Sequence, residues 1–252
     1  MRIGLDYTAA VRQSAGIGRY VRELAGALAE QLAEQEQLRL WAACRRPAQL
    51  PAALSNNPRV TLARIPVDGR WVTAGWQRLR LPVPLERIVG PLDVVPGPDF
   101  TVPPTSAPSV VTIHDLSYLI VSQFAHPRLR RYLTGIVPRT LPRATRVVAV
   151  SEQTRRDVLR YYNLPPEQVV AIPNGVDERF RSPDPEDVAR LRERLALPGP
   201  YVLSVGTIEP RKNHETVLRA FERVHAAHPE LSLVIAGRPG WLSAPILDAI
   251  DK

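Results

Sequence analysis

The chain has 252 residues, 44% of them hydrophobic and 23% charged, an ordinary globular composition that argues against a disordered, fibrous or membrane-spanning protein. A single cysteine, Cys44, excludes a disulfide framework within the chain and an all-cysteine zinc site, and it favours a reducing, cytosolic setting. The formal net charge is +8, and no apolar run approaches the roughly 18–20 residues of a membrane span, so we expect a soluble protein or one that is peripheral on a membrane.

The N-terminal segment predicts a strand followed by a long helix. Ile3, Leu5 and Tyr7 alternate as in a strand, and Asp6 interrupts the apolar run before a signal-peptide core could form, so we expect no export. Over residues 18–37 the apolar residues recur at helical spacing, which predicts an amphipathic helix that packs on a sheet.

A glycine pair, Gly16 and Gly18, stands directly before this predicted helix. Backbone without side chains can approach a ligand closely, and a helix N-terminus offers free N–H groups to an anion. A plain tight turn explains the pattern equally well. The dinucleotide-binding fingerprint is absent, because Val21 stands at its third glycine position, which argues against a nicotinamide enzyme.

Short apolar runs alternate with helical stretches along the rest of the chain, which is typical of a parallel α/β sheet. Further strands are predicted at 38–43, 60–65, 92–95, 110–113, 146–150 and 169–172. Residues 81–108 are rich in proline and predict loops around one short strand. His114 and Asp115 follow the strand at 110–113, at the edge where open α/β sheets bind ligands, although local helix capping by Asp115 explains the pair too.

Positive charge is concentrated between residues 127 and 160, where the sequence contains nine arginines and only two acidic residues, Glu152 and Asp157. Such a patch can attract an anionic membrane surface or nucleic acid. Because only two of the 33 basic residues are lysines, a general preference for arginine on solvated helix faces is an equal alternative. A membrane ranks ahead of nucleic acid, since no aromatic stacking pattern interleaves the arginines. Ser151 predicts the N-cap of a helix over residues 152–161.

Asn174 and Gly175 predict a turn after the last of these strands. Residues 177–200 are typical of an interdomain linker that contains a short helix. The α/β rhythm then restarts with a strand at 201–205, a helix at 214–227, a strand at 231–236 and a helix that begins near Ser243. Between the first of these strands and its helix lies the loop Gly206–Asn213, in which Arg211 and Lys212 place two cations beside a helix N-terminus. That arrangement suits a diphosphate. It is not a Walker loop.

Five motifs, taken in this order, resemble family 4 glycosyltransferases of the GT-B fold. They are Gly16-Ile17-Gly18-Arg19-Tyr20, Val111-Thr112-Ile113-His114-Asp115-Leu116, Val150-Ser151-Glu152, Ile172-Pro173-Asn174-Gly175-Val176-Asp177 and Gly206-Thr207-Ile208-Glu209-Pro210-Arg211-Lys212-Asn213. The resemblance implies an α/β protein with two Rossmann-like domains that face each other across a cleft. Residues 1–178 would form a complete acceptor-side domain, 179–199 a linker, and 200–252 the beginning of a donor-binding domain.

The resemblance further implies transfer of a sugar from a nucleotide-diphosphate sugar, GDP- or UDP-linked, with retention of configuration and without a metal or other cofactor. His114 would touch the transferred sugar, and Arg211 and Lys212 would neutralise the leaving diphosphate; these three are the expected catalytic residues. Arg211 and Lys212 are also expected to bind substrate. The other expected substrate-binding residues are Gly16, Gly18, Arg19, Asp115, Asn174, Gly206 and Thr207. Asn174 and Asp177 would also serve the hinge.

The motifs are most similar to bacterial mannosyl- or rhamnosyltransferases that build surface polysaccharide, which implies a glycan or lipid-linked acceptor and a cytoplasmic location, peripheral on the inner membrane face. Two departures stand out. The paired glutamates that family members carry later in the donor domain are absent from these 252 residues, so we expect a truncated donor site with little turnover, and Pro96 stands where relatives often have histidine. The opposed hypothesis is a non-enzymatic module that binds a membrane or a partner. We expect no nucleic-acid partner.

Overall fold

The computed structural model describes residues 1–79, 81 and 83–250, so Pro82 of the predicted loop region and the last two residues of the predicted second domain lie outside the described part. The chain divides into two compact units. Unit 1 comprises Met1–Ile120 and Leu129–Asn174, and unit 2 comprises Val121–Arg128 and Gly175–Lys252. Among the described helices, none has both the length and the apolar character that crossing a bilayer requires.

Unit 1 is built on seven strands that all run parallel. They are β1 (Arg2–Asp6), β2 (Gln37–Ala43), β3 (Val60–Ile65), β4 (Val95–Gly97), β5 (Ser109–Ile113), β6 (Arg146–Ala149) and β7 (Val169–Ala171). The spatial order is β3-β2-β1 followed by β4-β5-β6-β7. A parallel bridge between Ile3 and Val94, with a 2.9 Å hydrogen bond from the Gly4 amide to the Val94 carbonyl, joins the two halves.

The strand order therefore reverses between β1 and β4, which is the switch point where open α/β sheets form a crevice. The helices of unit 1 connect successive strands. They are α1 (Thr8–Arg12), α2 (Gly16–Glu30), α3 (Ala52–Ser55), α4 (Gly69–Thr73), α5 (Glu86–Val89), α6 (Ser117–Ile120), α7 (Pro127–Thr140) and α8 (Glu152–Tyr162).

The core of unit 1 lies against the sheet. Leu5, Leu38 and Leu40 on β1 and β2 are fully buried, and Val21 and Ala25 of α2 pack in the same cluster. Burial of such aliphatic side chains stabilises the fold by about 1.5–3 kcal/mol each. The apolar face predicted for the first long helix is thus confirmed.

The end of that helix was predicted wrongly. The prediction placed it at Gln37, whereas α2 ends at Glu30. A turn follows, in which the Glu36 amide donates to the Ala33 carbonyl and the Glu36 carboxylate accepts from the Ala33 amide at 3.1 Å. Leu32 remains buried, although it lies beyond the helix end.

The proline-rich segment also differs from the prediction. The strand expected at 92–95 is β4, which begins only at Val95, and Leu92 instead packs with Trp41 and Leu85 in a separate apolar cluster. Helix α5 interrupts the predicted loop. One oxygen of Glu86 accepts hydrogen bonds from the Thr105 hydroxyl at 2.6 Å and from the Ser106 amide at 2.9 Å, which fixes α5 to the segment just before β5.

Unit 2 has two parallel strands, β8 (Tyr201–Val205) and β9 (Ser232–Ala236), connected by α10 (His214–Ala227). Helix α9 (Pro185–Arg194), capped by Asp184, lies in the region predicted as a linker, and α11 (Ala244–Ile250) follows β9. Within the described residues β8 pairs with β9 alone. Its apolar side chains are 42–72% exposed: Tyr201, Val202, Leu203 and Val205.

Candidate functional site

The first group of candidate residues lies where β1, β4 and β5 end. Because the strands are parallel, their carboxyl ends meet at the same edge of the sheet. Asp6 is the last residue of β1, Asp99 follows β4 by two residues, and His114 follows β5 directly. The switch point thus brings these three titratable side chains to one edge.

His114 is half-buried among aromatic rings. Its Nε2 atom lies 2.8 Å from the Pro98 carbonyl oxygen. Its ring meets Tyr20 edge-on at 4.9 Å between centroids and Phe100 at 5.9 Å. When Nε2 carries the proton and donates to Pro98, Nδ1 of the neutral ring is left as a hydrogen-bond acceptor. Phe100 has a backbone φ of 59°, a left-handed conformation that non-glycine residues rarely adopt.

Two carboxyl groups accompany His114. Burial raises the pKa of Asp6 to about 6, even though the Thr8 amide donates to its Oδ1 at 2.8 Å. Burial also raises the pKa of Asp99, and the neighbouring His114 acts in the opposite direction. Burial raises the pKa of the nearby Tyr132 hydroxyl to about 12, and the charge of Asp99 also raises this pKa.

The glycine pair has two different environments. Gly16 is exposed at the start of α2, and a Cβ there would meet nothing within 4 Å. Gly18 is buried, and a Cβ there would collide with the carbonyl oxygen of Gln13. The structure therefore assigns Gly18 a packing role. Arg19 is partly exposed, and its Nε lies 3.7 Å from the carboxylate of Glu23.

Three other predicted positions lie at strand ends. The Asp115 carboxylate accepts from the Ser117 amide at 2.9 Å and so caps α6. Ser151 accepts from the Thr154 amide at 3.0 Å, which confirms it as the N-cap of α8. Asn174 is exposed after β7 and is the last residue of unit 1. Asp177, in unit 2, forms an ion pair with Arg179 at 2.6 Å.

In unit 2 the candidate residues form a loop between β8 and α10. Gly206 has a φ of 153°, which favours glycine. Its carbonyl oxygen lies so close to Gly237 that a Cβ on Gly237 would collide with it. The loops after β8 and β9 are joined by two hydrogen bonds, from the Ile208 amide to the Arg238 carbonyl at 2.9 Å and from the Gly240 amide to the Ile208 carbonyl at 3.0 Å. Thr207 is exposed on this loop.

Arg211 and Lys212 occupy a single 3₁₀ turn, Pro210–Lys212, just ahead of α10. Arg211 is already paired: its Nη2 lies 2.7 Å from Oε1 of Glu209. The aliphatic part of the Lys212 side chain lies beside Gly206. Its Cε atom is 3.5 Å from the position that a Cβ on this glycine would take. A Cβ at this position would therefore touch the lysine side chain only at an ordinary van der Waals distance, so it is the backbone φ that favours glycine here.

His214, the first residue of α10, is almost completely buried. Its Nδ1 atom has no hydrogen-bond partner within the described part of the chain.

The two groups of residues suit different ligands. At the switch point, the carboxyl groups of Asp6 and Asp99 and a ring nitrogen of His114 can accept hydrogen bonds, which fits a ligand that supplies hydroxyl donors. In unit 2, free amides at a helix N-terminus and two cations fit a phosphate-bearing anion. Among residues 1–79, 81 and 83–250, no group of three or more His, Cys, Asp or Glu side chains could hold a metal ion.

Sequence reasoning missed Asp6, Asp99 and Tyr132 as site residues. Asp6 could have been found, because it ends the first predicted strand. Asp99 was missed, because the strand before it was predicted to end at Val95, two residues before β4 actually ends. Tyr132 lies on a helix and reaches the site only through the tertiary fold.

Known families match most of the chain. Residues 14–180 match Glycosyltransferase Family 4, and residues 187–248 match Glycosyl transferases group 1. The O-antigen chain mannosyltransferase B of Escherichia coli is 27% identical over 160 residues, which are 62% of this chain and 42% of that protein. The D-inositol 3-phosphate glycosyltransferase of Thermobispora bispora is 35% identical over 88 residues, 35% of this chain and 21% of that protein. The chain thus spans less than half the length of these relatives.

Solved structures share the fold. Anabaena HepE in complex with UDP and glucose gives a TM-score of 0.61 at 15% identity, over 99% of this chain and 63% of that one. WaaG, a glycosyltransferase involved in lipopolysaccharide biosynthesis, gives 0.55 at 15% identity, over 94% of this chain and 70% of that one. These neighbours confirm the predicted α/β architecture of GT-B type.

Proposed function

Because the chain belongs to glycosyltransferase family 4, we propose that it transfers a sugar, mannose-like, from a nucleotide-diphosphate sugar to a hydroxyl of a glycan or lipid-linked acceptor. The proposed reaction retains the anomeric configuration and serves polysaccharide biosynthesis in the cytoplasm. In it the bond from the anomeric carbon to the diphosphate oxygen breaks, a bond to the acceptor oxygen forms, and the hydroxyl proton is released.

The loop Gly206–Lys212 is the observation that carries this proposal. Negative charge grows on the diphosphate as the glycosidic bond breaks, so a cation beside it stabilises the transition state more than the ground state. Arg211 and Lys212 occupy one turn, and the N-terminus of the 14-residue helix α10 follows. In this proposal they provide the neutralising charge that a metal ion would otherwise supply.

Residues at the switch point of unit 1 support an acceptor role. The carboxyl groups of Asp6 and Asp99 can accept hydrogen bonds, and Tyr20 and Phe100 offer aromatic rings beside His114. Sugar hydroxyls donate hydrogen bonds, and the C–H face of a pyranose packs on such rings. We therefore assign the uncharged polyol to this edge and the diphosphate to the loop of unit 2.

The nature of the donor is supported by relatives. The Escherichia coli relative is a mannosyltransferase, and HepE was solved with UDP and glucose. Both GDP and UDP are therefore appropriate probes. Because β8 pairs with β9 alone in the part of the chain that the structure describes, and exposes apolar side chains, we propose that these 252 residues bind nucleotide but turn over slowly.

A thermal-shift titration of the chain with GDP and with UDP tests the loop assignment. A ligand that binds only the folded state raises the apparent stability in proportion to the logarithm of its concentration over Kd. We expect a shift with one of the two nucleotides, and at least a tenfold loss of affinity in the Arg211→Ala/Lys212→Ala variant, because each charged contact is worth about 1.5–3 kcal/mol.

The matched control removes two other positive charges from α10, in the variant Arg219→Ala/Arg223→Ala; both residues are exposed. This control should keep the nucleotide affinity within about twofold, since long-range surface charge contributes little at physiological salt. Equal losses in the two variants, or no shift with either nucleotide in a chain that melts cooperatively, would refute the assignment of the loop.

A further inference from the structure

Phe100 is the central residue of an unusual turn that follows β4. Its φ of 59° lies in the left-handed region, and the Thr101 amide donates to the Asp99 carbonyl at 2.7 Å, so the turn spans only three residues. Three-residue turns with a positive φ at their centre are rare and strained. The strain here falls on a bulky aromatic residue, for which a left-handed backbone is especially unfavourable.

The surrounding structure holds this turn in place. The Phe100 amide donates to the Thr112 carbonyl of β5 at 3.1 Å. On the side of β4, the Thr101 carbonyl oxygen lies so close to Gly97 that a Cβ on Gly97 would collide with it. Strained backbone persists only where its surroundings over-determine it, and such residues cluster at functional sites.

Phenylalanine is not the residue that this turn favours. Glycine adopts a left-handed backbone without penalty, and asparagine tolerates it. The Phe100 ring, however, is only 7% exposed and contacts two other rings, with centroid distances of 5.9 Å to His114 and 6.1 Å to Tyr118. These ring contacts give a reason for phenylalanine at a position where a smaller residue would be less strained.

The turn also determines the hydrogen bond of the His114 ring. Its Nε2 lies 2.8 Å from the carbonyl oxygen of Pro98, two residues before Phe100. A carbonyl oxygen can only accept, so this contact requires the proton on Nε2 and leaves Nδ1 as an acceptor in the neutral ring. The backbone of His114 is held as well, because its carbonyl accepts from the Thr154 hydroxyl at 3.4 Å.

We propose that Phe100 is a positioning residue for His114. Its strained turn places the Pro98 carbonyl against Nε2 and its own ring against the imidazole, so that Nδ1 remains the acceptor for a hydroxyl of the sugar. The hydrogen bond to Pro98 is a property of the chain itself, whereas the role of Nδ1 toward a sugar rests on the proposed function. Phe100 acts through His114 alone.

Two substitutions of similar side-chain volume isolate the effect of the turn. Both remove the ring, but asparagine tolerates a left-handed backbone, whereas β-branched valine does not. Proton–nitrogen correlation NMR of the isotope-labelled chain, above about pH 7 where an ordinary histidine is largely neutral, detects an imidazole N–H that a hydrogen bond protects from exchange with water. The His114 Nε2–H signal should be present in the natural protein and in Phe100→Asn, and absent from Phe100→Val.

The matched control is Asn163→Val, which makes the same exchange of asparagine for valine at another left-handed position of unit 1, the residue after α8, where φ is 47°. It should keep the His114 signal despite a similar loss of stability in urea unfolding. Phe100→Ala, with a milder backbone penalty, replaces Phe100→Val if the latter does not fold. Persistence of the signal in Phe100→Val, its loss in the control, or its absence from the natural protein would overturn the proposal.

Turnover distinguishes a failure of this proposal from a failure of the proposed function. Release of nucleotide from GDP-mannose and from UDP-glucose, with water as acceptor, should have a kcat about 10- to 100-fold lower in Phe100→Val, as for a misplaced catalytic group, with KM unchanged. Phe100→Asn, which keeps the turn but loses the ring, should lie between the two.

If the natural chain releases no nucleotide while the NMR signals behave as expected, the transfer reaction is refuted but the positioning of His114 stands. If the natural chain is active and Phe100→Val keeps its kcat, or changes KM alone, the positioning role is refuted and the transfer reaction stands.

Discussion

The guanidinium of Arg211 lies 2.7 Å from the carboxylate of Glu209, two residues earlier in the same loop. An anion that approaches Arg211 therefore meets a cation whose charge is already partly neutralised. We expect Glu209→Gln to increase the affinity for GDP or UDP two- to fivefold, because exposed ion pairs are worth about 0.2–1 kcal/mol. Isothermal titration calorimetry measures the change. The control is Glu222→Gln, a substitution at an exposed position of α10, which should leave the Kd for nucleotide unchanged. Weaker nucleotide binding in Glu209→Gln would instead mean that the ion pair with Glu209 positions Arg211.

His114 should influence sugar transfer without influencing nucleotide binding. Its ring contacts Pro98, Tyr20 and Phe100, which all lie in unit 1, whereas the cationic loop lies in unit 2. We expect His114→Ala to lower the rate of transfer at least tenfold, or about 1.4 kcal/mol, with the Kd for nucleotide unchanged. His114→Gln retains a donor for the Pro98 carbonyl and separates the loss of that hydrogen bond from the loss of the ring. If nucleotide affinity falls as much as the rate, His114 has a structural role.

Two glycines of α2 should respond to alanine in opposite directions. A Cβ on Gly18 would collide with the Gln13 carbonyl oxygen, whereas a Cβ on Gly26 would meet nothing within 4 Å. We expect Gly18→Ala to destabilise the protein by about 1–3 kcal/mol, as overpacking does, and Gly26→Ala to stabilise it by about 0.5–1 kcal/mol, as for any glycine in a helix interior. Urea unfolding of the two variants measures both effects. A neutral Gly18→Ala would show that the turn before α2 relaxes freely.

Asp6 should make the stability depend on pH. Burial raises its pKa to about 6 in the folded state, above the ordinary value of about 3.9. The folded state therefore binds more protons than the unfolded state between these values, so the free energy of unfolding should fall as the pH rises from about 4 to 6. Asp6→Asn removes this dependence, and above pH 6 the variant should be more stable than the natural protein by up to about 3 kcal/mol, at about 1.4 kcal/mol per pKa unit.

Urea unfolding of both proteins at pH 4, 5, 6 and 7 measures this difference. Asp99 is present in both chains, so its own titration largely cancels from the comparison. Parallel curves for the two proteins across this range would show that the Asp6 carboxyl is well solvated.

The strands could be predicted closely from the sequence, whereas the strand order could not. The run Val110–Ile113 was predicted within one residue of β5, because β-branched residues strongly favour a buried parallel strand. The end of α2 was misplaced because alanine and glutamine continue a helical pattern, and the stop depends on the turn that Glu36 closes.

The residues of the candidate site could likewise be predicted only in part. Arg211 and Lys212 were identifiable because they stand together in one loop between a strand and a helix. Asp6 could be placed at the end of the first predicted strand, but its proximity to Asp99 could not be predicted, because 93 positions separate the two residues and they meet only through the pairing of β1 with β4. Single acidic residues after strands are common, and local sequence does not show which of them share an edge.

The bridge between Ile3 and Val94 has a consequence for synthesis on the ribosome. The partner for the inner edge of β1 is synthesised about 90 residues after β1 itself, which takes roughly 5–18 s at 5–20 residues per second. During that interval β1 can pair with β2, and β2 with β3, but the other edge of β1 presents unpaired backbone groups that can bind another nascent chain. Slower translation through residues 66–94 would lengthen this exposure, so codon choice in that stretch should affect the yield of folded protein more than codon choice after β7.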